Sequence, residues 1–261
     1  MLRYPFVHSV FNNFTKTSFL TILGIIPSRY NSIRFPGKPL AVIKGKSMIQ
    51  RVYEQASKSK TLKKVVVATD DERIYNHVKE FGGHVEMTSA EHKSGTERCA
   101  EALSLVDGEY DGVINIQGDE PFIQPDQIDK VACALEEGAD ITTLVKRIRS
   151  MEDYENTSVV KVTRDVQSEK VWFSRKLSFS KKILSDKDFL NKVVIHKHIG
   201  IYGYKASVLK AIVSLSPSPL EKLHSLEQLR WLENGYTIKV KETHFETQAV
   251  DTPEDLEKLR V

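Results

Sequence analysis

Short apolar runs alternate with amphipathic stretches up to about residue 137, and this rhythm predicts the fold. Residues 20–27 form an apolar run of strand length, and residues 47–59 carry Met48, Val52 and Tyr53 behind Ser47, an N-cap candidate. Val65, Val66, Val67 and Ala68 make a strand that is apolar throughout and ends in Thr69-Asp70-Asp71. A helix over 72–81 buries Ile74, Val78 and Phe81 and stops at Gly82-Gly83. Residues 84–88 read as a strand, 96–105 as a helix, 113–116 as a buried strand, and 125–137 as a helix opened by proline. Strands apolar on both faces and separated by helices predict a mainly parallel sheet covered by helices on both sides. Such α/β sheets bind ligands beyond the carboxyl ends of their strands.

Beyond residue 150 the rhythm changes. Residues 159–163, 170–174 and 197–204 alternate less strictly and predict a β-rich insertion, either an added layer or an antiparallel extension. One helix follows from Pro217-Ser218-Pro219 to about Asn234-Gly235, then a strand over 236–241 and a final helix from Pro253. No repeat or low-complexity linker divides residues 20–261, which read as a single domain. Residues 1–19 contain Arg3, Lys16, recurrent phenylalanines and no acid; they read as a disordered extension or a start codon placed too early.

Composition narrows the classes. The chain of 261 residues is 40% apolar and 28% charged, enough for a substantial core, and its net charge of +3 is too small to suggest nucleic acid. Anionic small substrates stay open. Cys99 and Cys133 sit in helix-like stretches among apolar residues and read as reduced core thiols. Two cysteines are too few for a disulfide framework or a four-ligand zinc site, so an intracellular, cytoplasmic protein is expected. No apolar run is long enough to span a bilayer.

The candidate chemistry sits where strands end. The loop Pro27-Ser28-Arg29-Tyr30-Asn31-Ser32-Ile33-Arg34-Phe35-Pro36-Gly37-Lys38 carries three cations and can cradle a triphosphate, although it lacks Walker A spacing. Ser94-Gly95-Thr96-Glu97-Arg98 opens a helix, where it can cap the first turn or face a nucleotide. In Asn115-Ile116-Gln117-Gly118-Asp119-Glu120 a buried strand breaks into a glycine and two acids, and Asp119 there suits Mg²⁺. Asp251-Thr252-Pro253-Glu254-Asp255 reads as an N-cap, with Asp251 also the candidate second carboxylate for the metal. His196 and His198 share a strand face, but no third ligand stands near them for zinc.

At these motifs the chain resembles the Kdo (3-deoxy-D-manno-octulosonate) cytidylyltransferases, or CMP-Kdo synthetases. The likeness extends through Phe173-Ser174-Arg175, His198-Ile199-Gly200-Ile201-Tyr202-Gly203-Tyr204, Ser218-Pro219-Leu220-Glu221 and Leu226-Glu227-Gln228-Leu229-Arg230. It runs in order from about residue 22 to the C-terminus. The resemblance implies a Rossmann-like nucleotidyltransferase fold, a homodimer, and transfer of CMP from CTP to the 2-hydroxyl of Kdo with Mg²⁺ as cofactor. Residues 150–205 would supply a β-rich part for sugar binding and dimerisation. Arg29 and Lys38 would match triphosphate-binding residues, Ser94, Arg98 and Gln117 would surround the cytidine, and Lys38, Asp119 and Asp251 would be catalytic. Asp119 and Asp251 would match the metal ligands; Arg175, His198, Tyr202, Glu227 and Gln228 would surround the sugar acid. The chain departs from the family pattern at Lys176-Leu177-Ser178-Phe179, at Leu223-His224 and at Thr247-Gln248-Ala249.

Other readings are a cytidylyltransferase for another sugar acid such as a sialic acid, a metal-dependent glycosyltransferase, and a nucleotide-binding protein without catalysis. The 198–204 and 226–230 motifs disfavour the first, and the Arg29 to Lys38 loop the second. Asp119, Asp251 and Lys38 together disfavour the third.

Overall fold

The computed structural model describes residues 20–165, 167–186, 188–246 and 248–260; the expectations for residues 1–19 and Thr247 lie outside the described residues. The first half runs through β1 (Ile22–Ser28), a 3-10 turn at Lys38–Leu40, β2 (Val42–Ile43), β3 (Lys46–Ser47), α1 (Met48–Ala56), β4 (Leu62–Thr69), α2 (Glu72–Glu80), β5 (Val85–Met87), α3 (Gly95–Leu105), β6 (Gly112–Asn115) and α4 (Pro125–Glu136). The second half contains β7 (Ile141–Arg147), α5 (Met151–Glu155), β8 (Lys161–Arg164), β9 (Val171–Ser174), α6 (Lys181–Leu184), α7 (Phe189–Lys192) and β10 (His196–Lys205). It closes with α8 (Ala206–Ile212), α9 (Pro219–His224), α10 (Glu227–Glu233), β11 (Ile238–Glu242) and α11 (Pro253–Arg260).

Local chemistry places the helix starts where the pattern predicts them. Ser47, Asp71 and Ser94 each accept a backbone N–H of the first turn with a side-chain oxygen, at the N-caps of α1, α2 and α3. Gly82 takes φ 79° directly after α2, the left-handed conformation a helix stop favours.

The main sheet has the order β11-β7-β10-β6-β1-β4-β5, with β8 and β9 added beside β10. β1 is parallel to β4 and β6, and β7 is parallel to β11, whereas β10 runs antiparallel to both β6 and β7. Alternate strand residues feed two cores. Leu23, Ile25, Val66 and Ala68 pack with Cys99 and Ala102 of α3 and with Trp231, while Ile22, Ile26, Val65 and Val67 pack with α1, α2 and α4. Gly203 permits the close approach of α4 to β10, because a Cβ there would lie 2.7 Å from Val131.

The structure decides one alternative, adds one strand and changes two expectations. Of the alternatives for the insertion, the antiparallel one forms, and its last segment enters the centre of the sheet as β10. Ile141–Arg147, unassigned by pattern alone, forms β7, its run buried from Ile141 to Val145. The helix expected over 217–234 breaks into α9 and α10, because Ser225 turns left-handed at φ 52°, ψ 49°. Cys133 is exposed on the outer face of α4, since Val131, Ala132, Ala134 and Leu135 take the buried positions; Cys99 is buried as expected.

The departure at Lys176-Leu177-Ser178-Phe179 has a packing role. Tyr154 donates its hydroxyl to the Leu177 carbonyl at 2.8 Å, and Phe179 packs against Tyr154 and Phe189 in a satellite core.

Candidate active site

The carboxyl ends of β1, β4 and β6 meet at one edge of the sheet, where the polar motifs gather. Gly118, in the turn after β6, lies so close to β1 that a Cβ would sit 2.9 Å from Ser28 Oγ and 3.0 Å from the Pro27 carbonyl. The missing side chain therefore lets Asp119 stand beside the loop that follows β1. Gly95 does the same for α3, where a Cβ would approach Pro27 to 3.2 Å.

Asp251 reaches this edge from the far end of the chain. Val250 is fully buried against Ile43, Met48 and Leu256, and its N–H donates to the Asp119 carbonyl at 2.9 Å. Thr252, not Asp251, caps α11: its Oγ1 accepts the Asp255 N–H at 3.3 Å, and Asp255 Oδ2 accepts the N–H groups of Asp251 and Thr252. The capping work is done by its neighbours, so the Asp251 carboxylate is left for other cations. It takes Arg34 at 3.1 and 3.2 Å and Lys38 Nζ at 3.5 Å. Lys38 Nζ also lies 2.8 Å from Asp119 Oδ2. One ammonium thus sits between the two carboxylates, and the expected pair converges. Arg34 was missed because nothing in an exposed loop arginine marks it for a partner 217 positions away.

The loop behind Lys38 is pinned. The Arg73 guanidinium lies 3.3 Å from the Tyr30 ring centroid and pairs with Asp71 at 2.6 and 2.9 Å. Gly37 takes φ 71° under the Tyr30 ring, where a side chain would collide with Tyr30 at 3.0 Å. Arg29 stands exposed at the end of β1.

The remaining nucleotide-side residues divide. Ser94 caps α3, and Gln117 flanks Gly200 of β10, where an added Cβ would lie 3.8 Å from its side chain. Arg98 is only 3% exposed and is held by Thr88 at 2.6 Å and Asp70 at 3.1 Å. Its guanidinium ties α3 to the end of β4.

The residues expected on the sugar side lie on β10, on α10 and directly after β9. The His198 ring packs edge-on to Phe173 and beside Tyr202, and burial pushes its pKa down to about 4. Tyr202 stacks with Tyr204 and meets Trp231 edge-on. Glu227 Oε2 accepts the Thr96 hydroxyl at 2.7 Å, joining α10 to the start of α3, and burial raises its carboxyl above the ordinary value. Gln228 is buried beside it in α10. Arg175 donates to the His224 and Ser225 carbonyls at 2.9 and 3.2 Å and so supports the left-handed turn between α9 and α10. Its own carbonyl accepts from Lys161 Nζ at 3.2 Å; that buried lysine, unassigned by pattern, betrays its role only through a β8 position otherwise expected to be apolar. The two groups of residues are joined by the hydrogen bond from Thr96 to Glu227.

Comparison with known proteins identifies the family. The cytidylyltransferase family profile matches residues 23–242. A 3-deoxy-manno-octulosonate cytidylyltransferase of Parabacteroides distasonis is 51% identical over 92% of this chain and 96% of its own length. This chain belongs to the 3-deoxy-manno-octulosonate cytidylyltransferase family. A second member, from Bacteroides thetaiotaomicron, is 50% identical over 91% of the chain and 96% of its own. The solved structure of a CMP:2-keto-3-deoxy-manno-octonic acid synthetase complexed with CTP superposes with a TM-score of 0.83 at 38% identity, covering 92% of this chain and 97% of that one. The Rossmann-like nucleotidyltransferase fold expected from the family motifs is the fold found.

Proposed function

We propose that this family member transfers CMP from CTP to the 2-hydroxyl of Kdo, releasing pyrophosphate and supplying CMP-Kdo for lipopolysaccharide assembly in the cytoplasm. The observation that carries the mechanism is Lys38 held between Asp119 and Asp251 at the carboxyl end of the sheet. Among the described residues, no helix is long and apolar enough to cross a membrane.

The donor set fits Mg²⁺. Two carboxylates converge on Lys38, with the exposed Arg34 also paired to Asp251, and carboxylate oxygens beside a phosphate site are what this ion takes. Asp119 and Asp251 would hold it, and when bound it would lower the pKa of the attacking hydroxyl and offset charge on the phosphates. Lys38 and Arg29 bring positive charge to the triphosphate and to the departing pyrophosphate. Ser94 and Gln117 orient the cytidine, while Arg98 holds α3 in place from behind. Arg175, His198, Tyr202, Glu227 and Gln228 orient the sugar acid.

The sugar hydroxyl forms the new O–P bond at the α-phosphorus as the bond to pyrophosphate breaks, which demands positioning and charge balance more than covalent catalysis. No separate protein base is assigned. The same reading includes a homodimer, for which the 150–205 part offers exposed apolar side chains, with Trp172 52% exposed on β9. Sedimentation of the full chain tests that point.

The deciding experiment is pyrophosphate release from CTP across a panel of sugar acids, with and without Mg²⁺. Release with Kdo that depends on Mg²⁺ is expected. Equal efficiency with a sialic acid would overturn the substrate, and CTP binding without release would overturn the activity.

A further inference from the structure

Strand β10 does not pair evenly with β7. Its register shifts between Ile199, opposite Leu144, and Tyr202, opposite Thr143, so that extra residues on β10 face a single step of β7. The irregularity turns two β10 carbonyls toward one side chain: Thr143 Oγ1 lies 2.7 Å from the Ile201 oxygen and 3.2 Å from the Ile199 oxygen. The same hydroxyl lies 2.9 Å from His198 Nε2.

A threonine hydroxyl has one proton and two lone pairs. Directed at the imidazole, that proton would leave two carbonyl oxygens facing oxygen lone pairs at hydrogen-bond distance, inside the sheet. It therefore goes to a carbonyl, and the hydroxyl accepts from the ring. His198 must then carry its proton on Nε2, which leaves Nδ1 as a bare acceptor. Nδ1 takes no protein hydrogen bond among the described residues.

From this geometry we infer that Thr143 is a positioning residue for substrate choice: with the β10 irregularity it fixes His198 as the Nε2–H tautomer, so that Nδ1 accepts a hydrogen bond from a hydroxyl of the sugar acid. The assignment rests on the proposed placement of the sugar beside His198. It means that this histidine selects a hydroxyl, not the sugar's carboxylate, at its position. The low basicity that burial imposes on the ring works in the same direction, since a neutral ring keeps Nδ1 free of a proton.

The test uses Thr143→Val, which keeps the shape but loses the hydroxyl, and Thr143→Ser, which restores it. In full-length protein labelled with ¹⁵N at histidine, the wild type is expected to show a resolved, slowly exchanging Nε2 proton for His198, assigned by its absence in His198→Asn. Thr143→Val should lose that signal and raise the KM for Kdo about tenfold, the loss of one hydrogen bond, with the KM for CTP changed less than about twofold. Thr143→Ser should recover both. An Nδ1–H tautomer in the wild type, or a Thr143→Val protein with both readouts unchanged, overturns the inference. Should Thr143→Val fail to fold, the wild-type tautomer decides alone. An unchanged KM for Kdo in His198→Ala would instead overturn the placement of the sugar, and the spectrum, which needs no substrate, separates that failure from failure of the Thr143 link.

Discussion

The Val250 N–H donates to the Asp119 carbonyl at 2.9 Å, and this single backbone link brings the start of the C-terminal helix to the turn after β6. The adjacent Asp251 carboxylate is delivered beside that of Asp119, with Lys38 between them. Buried Val250 sets the position, and the Thr252 and Asp255 caps leave the acid unspent.

Asp119→Asn and Asp251→Asn should each keep the fold and lose about 100-fold or more in turnover, because each removes one negative charge from the proposed metal position. Pyrophosphate release and thermal melts of the two variants check this, and a chelator should abolish release by the wild type. Near-normal turnover in either variant would sink the two-carboxylate assignment.

Arg98→Leu should cost stability before it costs nucleotide affinity. It leaves Asp70 without its buried counterion and strips Thr88 of a donor, a loss of about 3 kcal/mol. Urea titration measures the loss, and CTP titration of the folded variant should show affinity within about threefold of the wild type. A stable variant that no longer binds CTP would place the guanidinium on the nucleotide instead.

Gly118→Ala should both destabilise and slow the protein. The new methyl meets Ser28 Oγ at 2.9 Å and the Pro27 carbonyl at 3.0 Å, which pushes the Asp119 turn away from β1. Overpacking of this kind costs about 1–3 kcal/mol. Chemical denaturation and turnover should fall together, and an unchanged pair of values would refute the close approach.

Two half-buried groups predict opposite pH trends in stability. The His198 pKa is depressed from 6.5 to about 4, so its contribution is present above 6.5 and is lost as pH falls toward 4. His198→Asn should flatten the decline in melting temperature over that window. Glu227 has a raised pKa, so its contribution is full below 4.5 and is lost as pH rises through the folded value. Glu227→Gln should melt higher than wild type at pH 7, with the gain vanishing below the ordinary carboxyl range. Parallel melting curves for variant and wild type would contradict either assignment.

What the chain discloses about itself depends on the range of the interaction. Ser47, Asp71, Gly82 and Pro125 act within one helical turn, so their spacing alone predicts α1, α2 and α4. Lys38, Asp119 and Asp251 were legible as candidate chemistry because each stands in a loop or turn beside a recognisable strand or cap. Their contact depends on Val250 and Gly118, neither of which announces a partner. Thr143 was missed for a related reason: in β7 it looks like an ordinary β-branched strand residue, and only the shifted pairing with β10 gives its hydroxyl work. Ser225 shows the converse, since a long amphipathic stretch hides a left-handed break held by the distant Arg175.

The antiparallel strand β10 has a consequence for how the chain assembles. Among the described residues it is the only ladder joining the β7 and β11 pair to the β6, β1, β4 and β5 group. During synthesis both neighbours emerge long before it and wait with open backbone edges, a state prone to mispairing. The strand that closes this gap also carries His198 and Tyr202. The β10 part of the proposed sugar side is therefore set in place only when the two half-sheets are zipped into one.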